Sequence, residues 1–141
     1  MAKVVYEDFS IEVNGKISDA INIALEECAG ELESQVKRNT RVDTGQTKNS
    51  WRHRVDEKKH IAYIGSNHEN AIWEEFGTGE HAVDENGLLS GKGRQGGWLY
   101  EDRHGEVHFT FGKKPSRAFY TAYKALKNKI VKHLQDTMKG L

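Results

Sequence analysis

Apolar residues recur along this chain with two different periods, and the periods divide it into elements. Ile17, Ile21, Ala24, Leu25, Cys28, Leu32 and Val36 come at intervals of three and four. That spacing predicts a long amphipathic helix from about Ser18 to Arg38. Ser18 stands at the N-cap, Asp19 falls in the first turn and Lys37-Arg38 in the last, so the charges suit the helix dipole. Upstream, Phe9, Ile11 and Val13 alternate with Ser10 and Glu12 ahead of Asn14-Gly15, which predicts an opening strand and a turn. At the other end Phe119, Ala122, Tyr123, Leu126, Ile130, Leu134 and Met138 form one helical face. This last helix is expected from Ser116, as cap, to about Lys139, with Pro115 just ahead of it.

The middle of the chain changes period. Trp51 to Asp56 and His60 to Gly65, joined by the polar turn Glu57-Lys58-Lys59, read as an antiparallel hairpin. Ahead of it, Asp43 is placed to cap a short helix, with Gln46 in the reciprocal position and Asn49-Ser50 closing the turn. Behind it, Ser66-Asn67-His68-Glu69 has the form of a capping box that opens a second short helix. Ile72 and Phe76 lie one turn apart on this helix, so it is expected to bury its aromatic, and Gly77 ends it. A second hairpin is predicted from Trp98-Leu99-Tyr100 and Val107-His108-Phe109-Thr110-Phe111 around the polar turn 101–106. Two helices packed on a small antiparallel sheet of two hairpins make an α+β domain, with all 141 residues in one unit.

Charge adds one feature. The 21 basic and 21 acidic residues cancel, so no overall basic field argues for nucleic acid. Acidic residues nevertheless crowd residues 1–35 and lysines crowd residues 112–141. These are either two solvated helix faces or two ends that attract, within one subunit or between neighbours. Glu31, Glu33, Lys124 and Lys127 are the residues for such a contact. Cys28 is the single cysteine, so there is no disulfide framework and no cysteine-based zinc site, and it falls on the apolar helix face. No apolar run suits a signal peptide or a membrane span, and a soluble intracellular protein without membrane contact is expected.

The chemistry-bearing residues do not assemble into a reaction centre. Glu74 and Glu75 are adjacent carboxylates, but neighbours on a helix diverge by about 100° instead of sharing a substrate. One is expected to be a buried salt-bridge partner and the other a solvated charge. The glycine-rich loop at about 80–97 lacks the spacing and the hydroxyl of a phosphate-binding loop. Loops this long are often functional, and it is expected to be mobile until a partner orders it. His104 and His108 sit four apart in a hairpin, not a helix, while His53 and His60 are placed to face each other across the first hairpin. With no carboxylate or cysteine at ligand spacing, the seven histidines read as surface and strand residues. Gly-x-Ser-x-Gly is absent. Trp98, Tyr100, Phe109 and Phe111 beside Lys92 and Arg94 form either a stacking surface for a single strand or one core face of the hairpin.

Three motifs remain, in order: Val42-Asp43-Thr44-Gly45 with Asn49-Ser50, Glu75-Phe76-Gly77-Thr78-Gly79, and Lys114-Pro115-Ser116-Arg117-Ala118-Phe119 before the terminal helix. Together, over residues 15–139, they resemble the small neck proteins of long-tailed bacteriophages and prophages. That family includes head–tail joining, tail-completion and minor tail component proteins. Ala118 and Tyr120 depart from it, since relatives often carry a second proline and a basic or aliphatic residue there. The resemblance implies a non-enzymatic virion protein, without cofactor or metal, assembled in the bacterial host cytoplasm. It implies a ring of copies that contacts neighbouring neck and tail proteins and attaches tail to head, with only incidental DNA contact. A tail-tube terminator is the alternative within this class. A small nucleic-acid-binding protein and a histidine-dependent metallohydrolase are the alternatives outside it.

Overall fold

The computed structural model describes residues 10–42 and 45–141. Helix α1 (Ser10–Asn39) is followed by the short α2 (Gln46–Ser50), the hairpin β1 (Trp51–Asp56) and β2 (Ile61–Ser66), and α3 (Glu69–Phe76). A 3-10 turn at Gly79–His81 leads to the hairpin β3 (Trp98–Glu101) and β4 (Val107–Thr110), and α4 (Ala118–Lys139) ends the chain. The class is α+β, as the periodicity predicts. The two hairpins form separate two-stranded antiparallel ladders instead of one sheet.

The opening strand and turn are replaced by helix. Residues 10–13 belong to α1, Asn14-Gly15 and Ser18 lie inside it, and Phe9 falls outside the described residues. A five-residue alternation is a weak signal, and a helical glycine costs only about 1 kcal/mol. Extending a helix that is already nucleated costs less than starting a new element.

The core lies where α1 and α4 cross over the first hairpin. Leu32, Val36, Trp51, Ala71 and Ala122 are buried there, with Ile64, Phe119, Leu126 and Ile130 packed against them. Cys28 is buried on the same face of α1, and burial raises its thiol pKa. The register pairs Trp51 with Ser66, His53 with Ile64 and Val55 with Ala62, so those residues share the face turned to α1. Arg54 and Tyr63 pair on the other face, the guanidinium 5.0 Å from the ring centre. His53 and His60 therefore do not face each other. His60 lies in the turn and pairs with Asn22.

The attraction between the acidic and basic ends occurs within the subunit. Lys129 reaches Glu31 at 2.5 Å and His133 reaches Glu27 at 2.9 Å, joining α4 to α1. No described helix is long and apolar enough to cross a membrane.

Ala122 is fully buried in the core between α4 and α1. Ala122→Leu is expected to cost about 1–3 kcal/mol through overpacking, measured as a lowered urea midpoint with an unchanged slope.

Candidate functional site

Glu74 and Glu75 organise the centre of the molecule, and both are buried. Helix α3 turns its carboxylates inward and leaves Ile72 and Trp73 more than half exposed. Of the expected apolar pair, Phe76 is half-buried and Ile72 is exposed, and the expectation that one of the two charges is solvated fails, since both are buried. Glu74 takes Arg41 Nε at 3.2 Å and is bridged by Lys113 Nζ. Arg41 also donates to the Lys114 carbonyl at 2.8 Å.

Glu75 points the other way, to the start of α4. Its two oxygens accept from the backbone N–H groups of Phe119 at 2.9 Å and Tyr120 at 3.0 Å. These are the second and third residues of the helix, whose N–H groups have no intrahelical partner. Ser116 was the expected cap, but the cap position falls at Arg117, and the Ser116 hydroxyl is buried without a hydrogen-bond partner among the described residues. A carboxylate from another element performs the capping, in the field of the helix dipole. The Ser116 N–H in turn donates to the Glu74 carbonyl at 2.7 Å.

Two glycines allow the strand approach around this centre. Gly77, at φ 74°, ends α3, and a Cβ there would lie 2.7 Å from the Lys113 carbonyl oxygen. Gly79, at φ 60°, would place a Cβ 2.2 Å from the Phe111 carbonyl oxygen. Thr78 ties the same strap, its N–H donating to the Lys113 carbonyl and its hydroxyl accepting from the Lys113 N–H. The second and third motifs are therefore one knot. The first joins it from below: Asn70 donates to the Thr47 hydroxyl, Ser50 meets Ser66 at 2.5 Å, and Trp51 stacks on Phe119 with ring centres 5.9 Å apart. Val42 is exposed, and Asp43 and Thr44 lie outside the described residues, as does the capping role assigned to Asp43. Gly45 takes the cap position of α2 at φ 84°. Asn49 closes the single turn of α2 through its N–H to the Gly45 carbonyl.

Residues 10–77 match the family model described as "Bacteriophage HK97-gp10, putative tail-component". That segment is HK97 gp10-like. It holds the first motif and the second up to Gly77, while the Pro115–Phe119 motif lies beyond it. No curated protein and no solved structure matches the chain significantly.

Around this HK97 gp10-like segment the expected contact residues divide. Glu31 is paired with Lys129, and Glu33 is held by Lys37 and His53, so both are engaged within the chain. Lys124 is exposed on α4, and Lys127 sits 5.9 Å from the Tyr123 ring centre. In the glycine-rich loop Lys92 is exposed, and Arg94 covers the Trp98 ring at 5.2 Å. The loop itself is tied back, since Val83 N–H donates to the Phe76 carbonyl and Gly96 N–H to Glu80 Oε1.

The capping box at α3 is also rearranged. His68 is the cap, accepting from the Asn70 N–H, while Ser66 Oγ accepts from the His68 N–H one step earlier. Glu69 is the first helical residue. Asp102, Glu106 and His108 offer three ligand atoms within 4.8 Å of one another in the second hairpin. His108 is already bonded to Asp102 at 2.7 Å, and that bond holds the Asp102 carboxyl below its ordinary range.

Beside the knot is an apolar cleft of about 540 Å³, walled by Trp51, Ile64, Ile72, Phe76, Phe119 and Tyr120. Arg117 closes one side, in the left-handed region at φ 55°, with its guanidinium over the Phe76 and Tyr120 rings. It donates to the Glu85 carbonyl at 3.1 Å and so ties the loop to the start of α4. A buried salt-bridge partner at one of the two glutamates was expected, and Glu74 is one, but neither the cleft nor Arg41 and Lys113 as its partners is visible in the linear pattern. The only signal for them is a pair of carboxylates in a helix otherwise read as apolar.

Glu75→Ala is expected to lower stability by about 3 kcal/mol by stripping two N–H groups of a charged acceptor. Glu75→Gln recovers part of that, and Ile72→Ala on the exposed side stays near wild type, all read by chemical denaturation. The His53 pair predicts a pH window. Hydrogen bonds to Glu26 and Glu33 raise the His53 pKa above its ordinary 6.5, against burial, so its contribution is full below 6.5 and fades as pH rises through the raised value. Burial pushes Glu33 up, but Lys37 and His53 outweigh it and leave the carboxyl below 4.5, so its contribution is lost as pH falls through the lowered value. The stability gap between wild type and His53→Gln is therefore expected to be widest between pH 4.5 and 6.5 and to narrow as pH rises through the raised His53 value.

Proposed function

We propose that this chain is a structural assembly protein of a long-tailed phage or prophage that acts at the head–tail joint, not an enzyme. The match of residues 10–77 to a bacteriophage tail-component family carries this reading. The geometry supports it from a second side. The adjacent buried carboxylates of α3 are committed to structural bonds, Glu74 to cations and Glu75 to a helix start. A group that already holds backbone N–H donors is not available to move protons on a substrate.

In this reading copies of the chain form a ring that contacts the neighbouring neck and tail proteins, assembled in the host cytoplasm and retained in the virion. Contacts between different surfaces of successive subunits close such a ring. Lys124 on α4 and Lys92 on the loop are exposed for those contacts, while Glu31 and Glu33 serve inside the subunit. Charge reversal at Glu31 thus changes the stability of the α1–α4 pair, and at Glu33 that of the α1–β1 contact, before it is a change in assembly.

Electron microscopy of particles from a phage or induced prophage lacking the gene tests the placement. Filled heads beside separate tails are expected. Abnormally long tails would move the protein to the tail terminator, and normal infectious particles would overturn the reading.

A further inference from the structure

The second hairpin gathers a histidine and two carboxylates at its turn end. The register pairs Tyr100 with His108, and the Asp102 N–H donates to the Glu106 carbonyl at 2.8 Å. Side chains two apart share a strand face, so Asp102, Glu106 and His108 all follow on the Tyr100 side of the ladder. One ligand atom from each lies within 4.8 Å of the other two. His108 Nε2 is 2.7 Å from Asp102 Oδ2 and 3.9 Å from Glu106 Oε2. Read linearly, no carboxylate stands at ligand spacing from a histidine; the pairing of the two strands supplies both.

Two of the three side chains are already oriented. Asp102 Oδ1 accepts from the His104 N–H at 2.8 Å and the Glu106 N–H at 3.0 Å, which leaves Oδ2 to face the imidazole. The His108 ring lies against Tyr100, with ring centres 5.4 Å apart. Glu106 is exposed and has room to close on the other two. A single proton on Nε2 bonds one carboxylate and leaves the second at 3.9 Å, beside a like charge. A divalent cation in place of that proton attracts both.

We infer that Asp102, Glu106 and His108 bind one zinc ion, which clamps β3 to β4 across their turn. One imidazole nitrogen with two carboxylate oxygens is a donor set for zinc, whereas calcium and magnesium take shells of oxygen alone. Around zinc, with ligands at about 2.0–2.2 Å, neighbouring ligand atoms sit roughly 3.3 Å apart. That separation falls between the 2.7 and 3.9 Å seen here, so shifts of about 0.6 Å complete the set. Three protein ligands leave a fourth position for water. The clamp acts where the fold needs one, because a two-stranded ladder is marginal in water by itself. A metal that binds only the paired strands adds its binding free energy to that pairing.

Equilibrium dialysis of the chelator-treated chain against zinc sulfate tests this. Wild type is expected to take up one zinc that excess magnesium or calcium does not displace. His108→Gln and Glu106→Gln are each expected to weaken binding by about tenfold or more. His104→Gln, in the same turn but outside the donor set, is expected to bind as wild type does. All three positions are exposed, so thermal melts without metal are expected to match wild type. Amide hydrogen exchange over residues 98–110 reads the clamp itself. Zinc is expected to slow it by about tenfold or more in wild type and to leave it unchanged in His108→Gln. No zinc uptake by wild type, wild-type affinity in either ligand variant, or an equal loss in His104→Gln would each overturn the inference. Zinc bound without slower exchange in the hairpin would overturn the clamp. None of these results bears on the head–tail placement, which the particle experiment tests separately.

Discussion

Two neighbouring carboxylates in one short helix are both taken out of water, and most of the central architecture answers that constraint. An ionised carboxylate is expensive to bury unless cations or N–H donors surround it. Glu74 and Glu75 diverge around the helix, so a single partner cannot serve both. Glu74 draws in Arg41 from just beyond α1 and Lys113 from the strap before α4. Glu75 draws in the first turn of α4 itself. Segments far apart in sequence are thereby set against α3.

The arrangement also dictates the outer surface. With carboxylates facing in, Ile72 and Trp73 of α3 are left exposed, and Ile72 with the aromatic rings of Phe76, Phe119 and Tyr120 becomes a wall of an open cleft. Arg117 holds that cleft in shape from a strained backbone position, covering two of its rings. Strain of this kind persists only where the surroundings over-determine the conformation. Here the carboxylate cap, the loop carbonyls and the two rings do so together. A structural knot and a binding surface are thus two sides of one helix.

Much of the frame was legible in the linear pattern. The periodicity of Ile21 through Val36 and of Phe119 through Leu134 located both long helices, and the period-two runs located both hairpins within a residue or two. Gly77 was legible as a helix stop. The order of the three motifs was readable as a phage neck resemblance, and the first of them lies inside the matched segment 10–77. Local rules failed at element ends. Ser18, Ser66 and Ser116 each had the right chemistry for a cap, yet none caps its helix. Any nearby N–H acceptor can satisfy a helix start, and a hydroxyl in sequence competes with carboxylates that arrive from elsewhere in the fold.

The sequence by itself therefore determined what depends on neighbours three or four places away: the helical and extended periods, the class, and the turns that glycine alone tolerates. Tertiary structure decided which groups meet across long separations. It alone chose that Glu75 should cap a helix more than forty residues later, and that Glu31 and Glu27 of the acidic end should meet Lys129 and His133 of the basic end within one subunit. It also left Leu99 and Phe109 exposed despite an alternation that reads equally well as a core face. A pattern records that a residue is apolar or charged. Whether that residue is buried depends on the free energy of the partners the completed fold brings to it.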